Sequence, residues 1–219
     1  REIAVRILTQ IFRQRSFLDF SLMNQSADAD RGFIKMLVMT TTRRYEFIRK
    51  ALRQFIRKKL PAKAAFAEFA LAAGACELLF MNTPDYAVIN SYVNLVKKHC
   101  DKYLAGFANA VLRKVAAEKD LIKTKDKGEF FSAPFFELLN NDYPAGQIRL
   151  IQQAGLSEPP LAISVKTSPE LWAQKLNGKQ LDGNTIILPD SSNISSLAGY
   201  DTGDWWVQDY AASLAVSSL

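Results

Sequence analysis

Cysteine is scarce in this sequence, histidine scarcer still, and long apolar runs are missing. The two cysteines, Cys76 and Cys100, give neither a disulfide framework nor a CxxC pair for zinc or thiol exchange. His99 is the one histidine, so a zinc site or a histidine-base mechanism is not expected. At a helix end beside Lys97 and Lys98, it reads as a partner for the helix C-terminal dipole. Cys76 sits among apolar residues and reads as core. The lysines near Cys100 favour a lowered thiol pKa, yet no base or substrate pocket is legible around it. The longest apolar stretch, Phe69 to Phe80, contains Glu77, so no membrane-spanning helix is expected. No GxGxxG, GxxxxGK[ST] or HExxH occurs. Arg1 leads into an amphipathic helix, not a signal peptide, and a reducing, cytoplasmic setting is expected. The first residue is not Met, so part of the start is expected to precede it. On chemistry alone this is a binding module with no catalytic, cofactor-binding or metal-ligating residues to nominate.

What is present is an uneven distribution of charge. The 219 residues carry a net +6 and are 48% apolar, enough for a real core in one large or two modest domains. Residues 1–119 hold 21 basic and 10 acidic residues; residues 120–219 hold 7 and 12. Glycine and proline divide the other way, five against thirteen. Two modules are therefore expected, 1–119 and 131–219, with the charged stretch at 120–130 as linker.

The fold class expected is mainly α: an all-helical bundle followed by a small α+β subdomain. Ile3, Ile7, Leu8 and Ile11 share one helix face. A short helix is expected over 17–23, and Asp28 or Asp30 as the cap of a helix carrying Phe33, Met36, Leu37 and Thr40 inward. Tyr45, Ile48, Leu52, Phe55 and Ile56 continue the stripe. Pro61 opens a helix through Phe80 that is apolar around most of its circumference and so central. Thr83-Pro84-Asp85 starts another, and Asp101 caps the last, where Leu104, Phe107, Ala108, Val111, Leu112 and Val115 recur at helical period. Beyond the linker, helices are expected from Ser132 and Pro144. Strands are expected at 161–165, 185–188 and 205–208, and a short helix after Ser168. A last helix starts at Tyr210.

Residues 43–63 contain nine Lys/Arg and one acid, Glu46. On a helical projection Arg43, Lys50, Arg53 and Arg57 lie opposite Ile48, Leu52, Phe55 and Ile56. Such a stripe suits phosphate, because arginine forks match phosphate oxygens and each contact releases counterions. A plain solvated face is the alternative. Lys102, Asn109 and Arg113 share a polar face on the last bundle helix, and Asn90, Asn94 and Lys98 on the helix before it. Asn90 and Asn109 serve equally well as interhelical hydrogen-bonding groups.

Particular residues carry a family resemblance. Ile3-Ala4-Val5-Arg6-Ile7-Leu8, Thr42-Arg43-Arg44, Leu79-Phe80, Ala87-Val88-Ile89-Asn90 and above all Gly106-Phe107-Ala108-Asn109-Ala110-Val111-Leu112-Arg113 resemble the NusB-type helical bundle. The form is that fused to RsmB (Sun/Fmu) 16S ribosomal RNA cytosine-5 methyltransferases. Ser132-Ala133-Pro134, Glu158-Pro159-Pro160 leading to Ser164-Val165-Lys166, and Trp206-Val207-Gln208-Asp209-Tyr210-Ala211-Ala212-Ser213 resemble that family's linker and pre-catalytic subdomain. Ala133 and Lys166 stand where the family usually has His and Asn. The family's glycine-rich S-adenosylmethionine loop and Pro-Cys motifs have no counterpart in this sequence. The resemblance therefore implies the front part of an enzyme whose S-adenosylmethionine and catalytic cysteines lie elsewhere. In that chemistry a thiolate adds to cytosine C6 and makes C5 nucleophilic, on a base taken out of its stack. The implied partner is 16S rRNA, and a monomer is expected. The RNA grip is expected from Arg43, Arg44, Arg49, Lys50, Arg53, Arg57, Lys102, Asn109 and Arg113. A NusB-like antitermination factor without catalysis, or a protein-interaction bundle facing an acidic partner, are the competing readings.

Overall fold

The computed structural model describes residues 1–19, 21–25, 27–189 and 194–217. By contacts the chain divides into two compact units, Arg1–Leu156 and Ser157–Leu219.

The first unit is built around α4 (Ala65–Phe80), twelve of whose residues are buried. Its apolar residues run around the whole cylinder, so every side needs a neighbour. The neighbours are α1 (Glu2–Arg13), α2 (Asp28–Arg43), α3 (Tyr45–Arg53), α5 (Asp85–His99) and α6 (Lys102–Ala117). Gly74 marks the tightest crossing: a Cβ there would sit 3.0 Å from Leu112 Cδ2 and 3.1 Å from Tyr92 Cδ2. Within this core Glu77 is fully buried. Arg1 grips it with Nη2–Oε1 at 2.5 Å and Nε–Oε2 at 3.1 Å, and the Tyr92 hydroxyl donates to Oε2 at 3.1 Å. The carboxylate is thus paired and hydrogen-bonded, the condition under which a buried charge is tolerated. Burial pushes the Tyr92 phenol pKa well up.

Several expectations need correction. On α2 the buried residues are Ile34, Leu37, Val38 and Thr41, whereas Met36 is half exposed. Thr41 donates to the Leu37 carbonyl at 2.7 Å, which satisfies its hydroxyl inside the core. The α2 N-cap position falls to Ala27, not to Asp28 or Asp30. Near the expected 17–23 helix there is a 3-10 turn, Ser21–Gln25, with Phe17 exposed; Phe20 lies outside the described residues. The Asp101 cap forms as expected, its Oδ1 accepting from Leu104 N at 2.8 Å.

The expected linker is partly helical. Here α7 (Lys119–Thr124) buries Ile122 in the first core, because the charged residues around Ile122 leave it one apolar face to hide. The helices α8 (Ala133–Asp142) and α9 (Ala145–Leu156) group with the bundle and not with the strands. The Phe130 ring presses on Gly155, and Phe130 N donates to Gln152 Oε1 at 3.3 Å, so α9 is fastened to the stretch before α8.

The second unit is a four-stranded antiparallel sheet, order β2-β3-β1-β4, with β1 (Leu161–Val165), β2 (Lys179–Gln180), β3 (Thr185–Leu188) and β4 (Trp205–Val207). Ile163 faces Ile186 across β1 and β3, and Val165 faces Trp205 across β1 and β4. Period-2 alternation puts Ile163, Val165, Ile186, Leu188 and Trp205 on one face, covered by Trp172 and Leu176 from α10 (Pro169–Lys175) and its end. Gly199 adopts φ +87°, and a Cβ there would meet Trp172 Cη2 at 2.5 Å, so the turn requires glycine twice over. The opposite face carries Ser164 and Thr185, whose hydroxyls meet Gln208 Oε1 at 2.8 Å and Ser213 Oγ at 3.4 Å. Ser213 belongs to α11 (Tyr210–Ser217).

Candidate nucleic-acid interface

The basic run does not stay helical. The α3 helix ends at Arg53, where the Leu52 carbonyl accepts from both Phe55 N and Ile56 N, each at 3.0 Å. On a continued helix Arg53 would face Arg57, and Lys59 would face Lys63, each one turn away and of like charge. Pro61 also disfavours helical backbone at residue 60. Residues 56–60 therefore run irregularly to the 3-10 turn at Ala62–Ala64, and Arg57 is displaced from the helix face on which its spacing placed it.

The nominated residues fall into two sets. Arg44, Arg49 and Lys50 are each held by a carboxylate. Arg44 Nη1 lies 2.9 Å from Asp126 Oδ2, with its guanidinium 5.1 Å from the Phe80 ring centroid. Arg49 Nη2 lies 2.5 Å from Glu46 Oε2, and Lys50 Nζ 2.5 Å from Glu129 Oε2. Arg43, Arg53, Arg57 and Lys102 have no ion-pair partner among the described residues, and the last three are exposed. On α6, Arg113 Nε donates to Asn109 Oδ1 at 3.2 Å, one turn away; on α5, Asn94 Nδ2 donates to Asn90 Oδ1 at 3.3 Å. Among the described residues, Asn90 and Asn109 thus bond within their own helices and not between helices.

Two cavities adjoin the 56–60 segment and share Arg57, Lys59 and Leu60 in their linings. One, of about 400 Å³, lies towards α3 and α4. The other, of about 820 Å³, lies towards the start of α6, with Lys63 and Lys114 at its edge and Tyr103 almost fully exposed beside it. Lys58, Lys59, Lys63, Lys114 and Tyr103 thus join the surface although none was nominated. Lys58, Lys59 and Lys63 were legible as part of the nine-cation run; Lys114 and Tyr103 had no signal of their own.

Cys100 lines the larger cavity, but burial pushes its thiol pKa up, against the lowering that its lysine neighbours suggested. Cys76 is pushed up to about 12 by burial. Neither is an activated nucleophile. His99 Nε2 sits 3.0 Å from Glu2 Oε1, and Lys98 and Arg6 reach the same carboxylate at 2.8 and 2.9 Å. Hydrogen bonding from Lys98, then from Arg6 and His99, holds the Glu2 carboxyl at about 2. Among the described residues no group of three His, Cys, Asp or Glu residues is placed to hold a metal ion, and no helix is long and apolar enough to cross a membrane. The sheet is antiparallel throughout. Among the described residues no strand opens through a glycine-rich turn into a helix.

The model of the NusB family matches residues 1–117. Two curated proteins named ribosomal RNA small subunit methyltransferase B are similar along the whole chain. The one from Xanthomonas campestris pv. campestris is 25% identical, and the alignment covers 100% of this chain and 53% of that protein. The one from Pseudomonas putida is 24% identical, with 100% and 54% covered. The chain spans about half the length of these relatives. The crystal structure of PH0851 matches with a TM-score of 0.64 at 12% identity, covering 100% of this chain and 55% of that one, a likeness of fold.

Proposed function

We propose that this chain, which belongs to the NusB family, is the RNA-docking part of a small-subunit ribosomal RNA methyltransferase. The observation that carries the reading is the unpaired cationic surface of Arg53, Arg57, Lys58, Lys59 and Lys63 around two adjoining cavities on the bundle. Cations that fold against carboxylates are already neutral. Those that stay exposed and uncompensated cost self-repulsion, which a bound polyanion would remove. Similarity to the two methyltransferases extends past the bundle through residues 118–219, which a free antitermination factor does not need. This favours the enzyme reading over that alternative.

In this proposal the substrate is 16S rRNA, the modified atom is cytosine C5, and S-adenosylmethionine supplies the methyl group in the whole protein. No residue of this chain is assigned to that cofactor. The protein acts in the cytoplasm and as a monomer. What this chain contributes is binding energy remote from the chemistry, which positions the target base. The nine residues expected to grip RNA narrow, for direct phosphate contact, to Arg43, Arg53, Arg57 and Lys102, with Asn109 and Arg113 as a bonded pair. Arg44, Arg49 and Lys50 take structural roles.

Binding of this chain to 16S rRNA segments should weaken steeply with salt, with a log–log slope of about −0.7 per phosphate contact on single strands. A flat salt response rejects the proposal.

A further inference from the structure

The exposed cations Arg53, Arg57 and Lys59 do not stand on a flat surface. They rim the cavity of about 400 Å³ whose floor is Leu52, Ile56, Leu60 and Ala72. One wall is Tyr45, whose ring is fixed by stacking on Phe12 at 3.9 Å. Two charged groups of the lining are already satisfied: Arg49 by Glu46, and Glu68 by Arg13. The charge left over comes from Arg53, Arg57 and Lys59. A surface that only collected phosphates would have no use for an apolar recess. A recess for an aliphatic ligand would have no use for three uncompensated cations.

We infer that this cavity receives one unstacked base of a single-stranded RNA segment, with the phosphates flanking that nucleotide on Arg53, Arg57 and Lys59. The inference rests on the RNA-docking reading above and adds a strand preference to it. A nucleotide combines flat apolar faces with a negative charge on each side, which is the pattern of floor and rim. Unpaired bases are splayed out and stack on aromatic rings or guanidinium planes, whereas a duplex keeps its bases inside and presents phosphates alone. The cavity would therefore distinguish unpaired from paired RNA with no sequence-specific hydrogen bond. An acidic peptide shares the charge but lacks a broad flat face to lie along the Tyr45 wall.

The test uses an oligouridylate with one central 2-aminopurine ribonucleotide, free or annealed to its complement. Anisotropy reports affinity and 2-aminopurine emission reports the base. The single strand should bind about tenfold more tightly than the duplex at equal salt, with a change in emission on binding. Leu60→Ser and, separately, Ile56→Ser should each lose about tenfold for the single strand. Duplex affinity and salt slope should stay close to those of the parent. Both side chains also pack on the helical core, so each variant should melt somewhat lower, and the two separate variants guard against one that fails to fold. If both RNAs bind alike, with salt dependence but no response to either variant, the cavity inference is overturned and the phosphate reading stands. Binding of neither RNA overturns both. Tighter binding of a short glutamate–leucine peptide than of RNA assigns the cavity to a protein partner and overturns the inference.

Discussion

The two ends of the basic run, residues 43–50 and 53–63, look alike in composition and differ in what the fold does with them. At the first end, Arg44, Arg49 and Lys50 meet Asp126, Glu46 and Glu129. At the second, five cations stay exposed around two cavities. Positive charge in a sequence is therefore not a binding site until the acids that fold against it have been subtracted. The subtraction turns on long-range partners, since Asp126 and Glu129 lie 82 and 79 residues from the side chains they neutralise.

The comparison can be broken most directly by neutralising each end in turn. Replacing Arg53, Arg57 and Lys59 with Gln should lower RNA affinity about a hundredfold at moderate salt, with little change in melting temperature. The matching triple of Arg44, Arg49 and Lys50 should lower it about threefold at most; equal losses would erase the distinction. Stability should show the reverse order. Arg44→Gln gives up a half-buried ion pair and the contact with Phe80, at a cost of about 1–2 kcal/mol in denaturant unfolding. Acid sharpens the contrast between paired and free cations through Glu2. Its folded pKa of about 2 lies below the ordinary carboxyl value of about 4.5. Its pairing with Lys98 and Arg6 therefore contributes fully above about pH 4.5 and fades as the pH falls towards 2. Glu2→Gln should be less stable than the parent at neutral pH, and the gap should narrow through that window in thermal melts. The smallest effect belongs to Lys50→Gln, about 0.5 kcal/mol or less, because that pair is largely in solvent.

Much of the fold was legible in the sequence. The circumferential apolarity of 65–80, the Asp101 cap, the alternating run at 161–165 and the β-branched run at 185–188 each report on local physics, and local physics is what a sequence displays. The phase error on α2 has a local cause too. Phe33, Ile34, Met36, Leu37, Val38 and Met39 are nearly continuous, so several faces are equally apolar and only packing selects Ile34, Val38 and Thr41. The two-residue β2 was not seen because it carries no pattern of its own; Ile186 and Ile187 on β3 define its place. The linker was misjudged because composition weighs its many charges and overlooks the one buried Ile122. For the interface, the cations were legible and their accounting was not. Leu52 and Ile56 read as core, although each also lines the recess, a dual position that helical spacing cannot reveal.

The acids at 126 and 129 have one more consequence. They lie in the connecting stretch after α7 and tack it onto the end of α2–α3 chiefly by charge, beside one hydrogen bond from Lys125 Nζ to Gln54 Oε1 at 3.1 Å, so the seam is largely ionic and loosens as counterions accumulate. Raising salt should then expose the backbone near Lys125 and Lys127 to trypsin over the same range in which it strips bound nucleic acid. A proteolytic ladder would time the opening of that seam independently of any ligand.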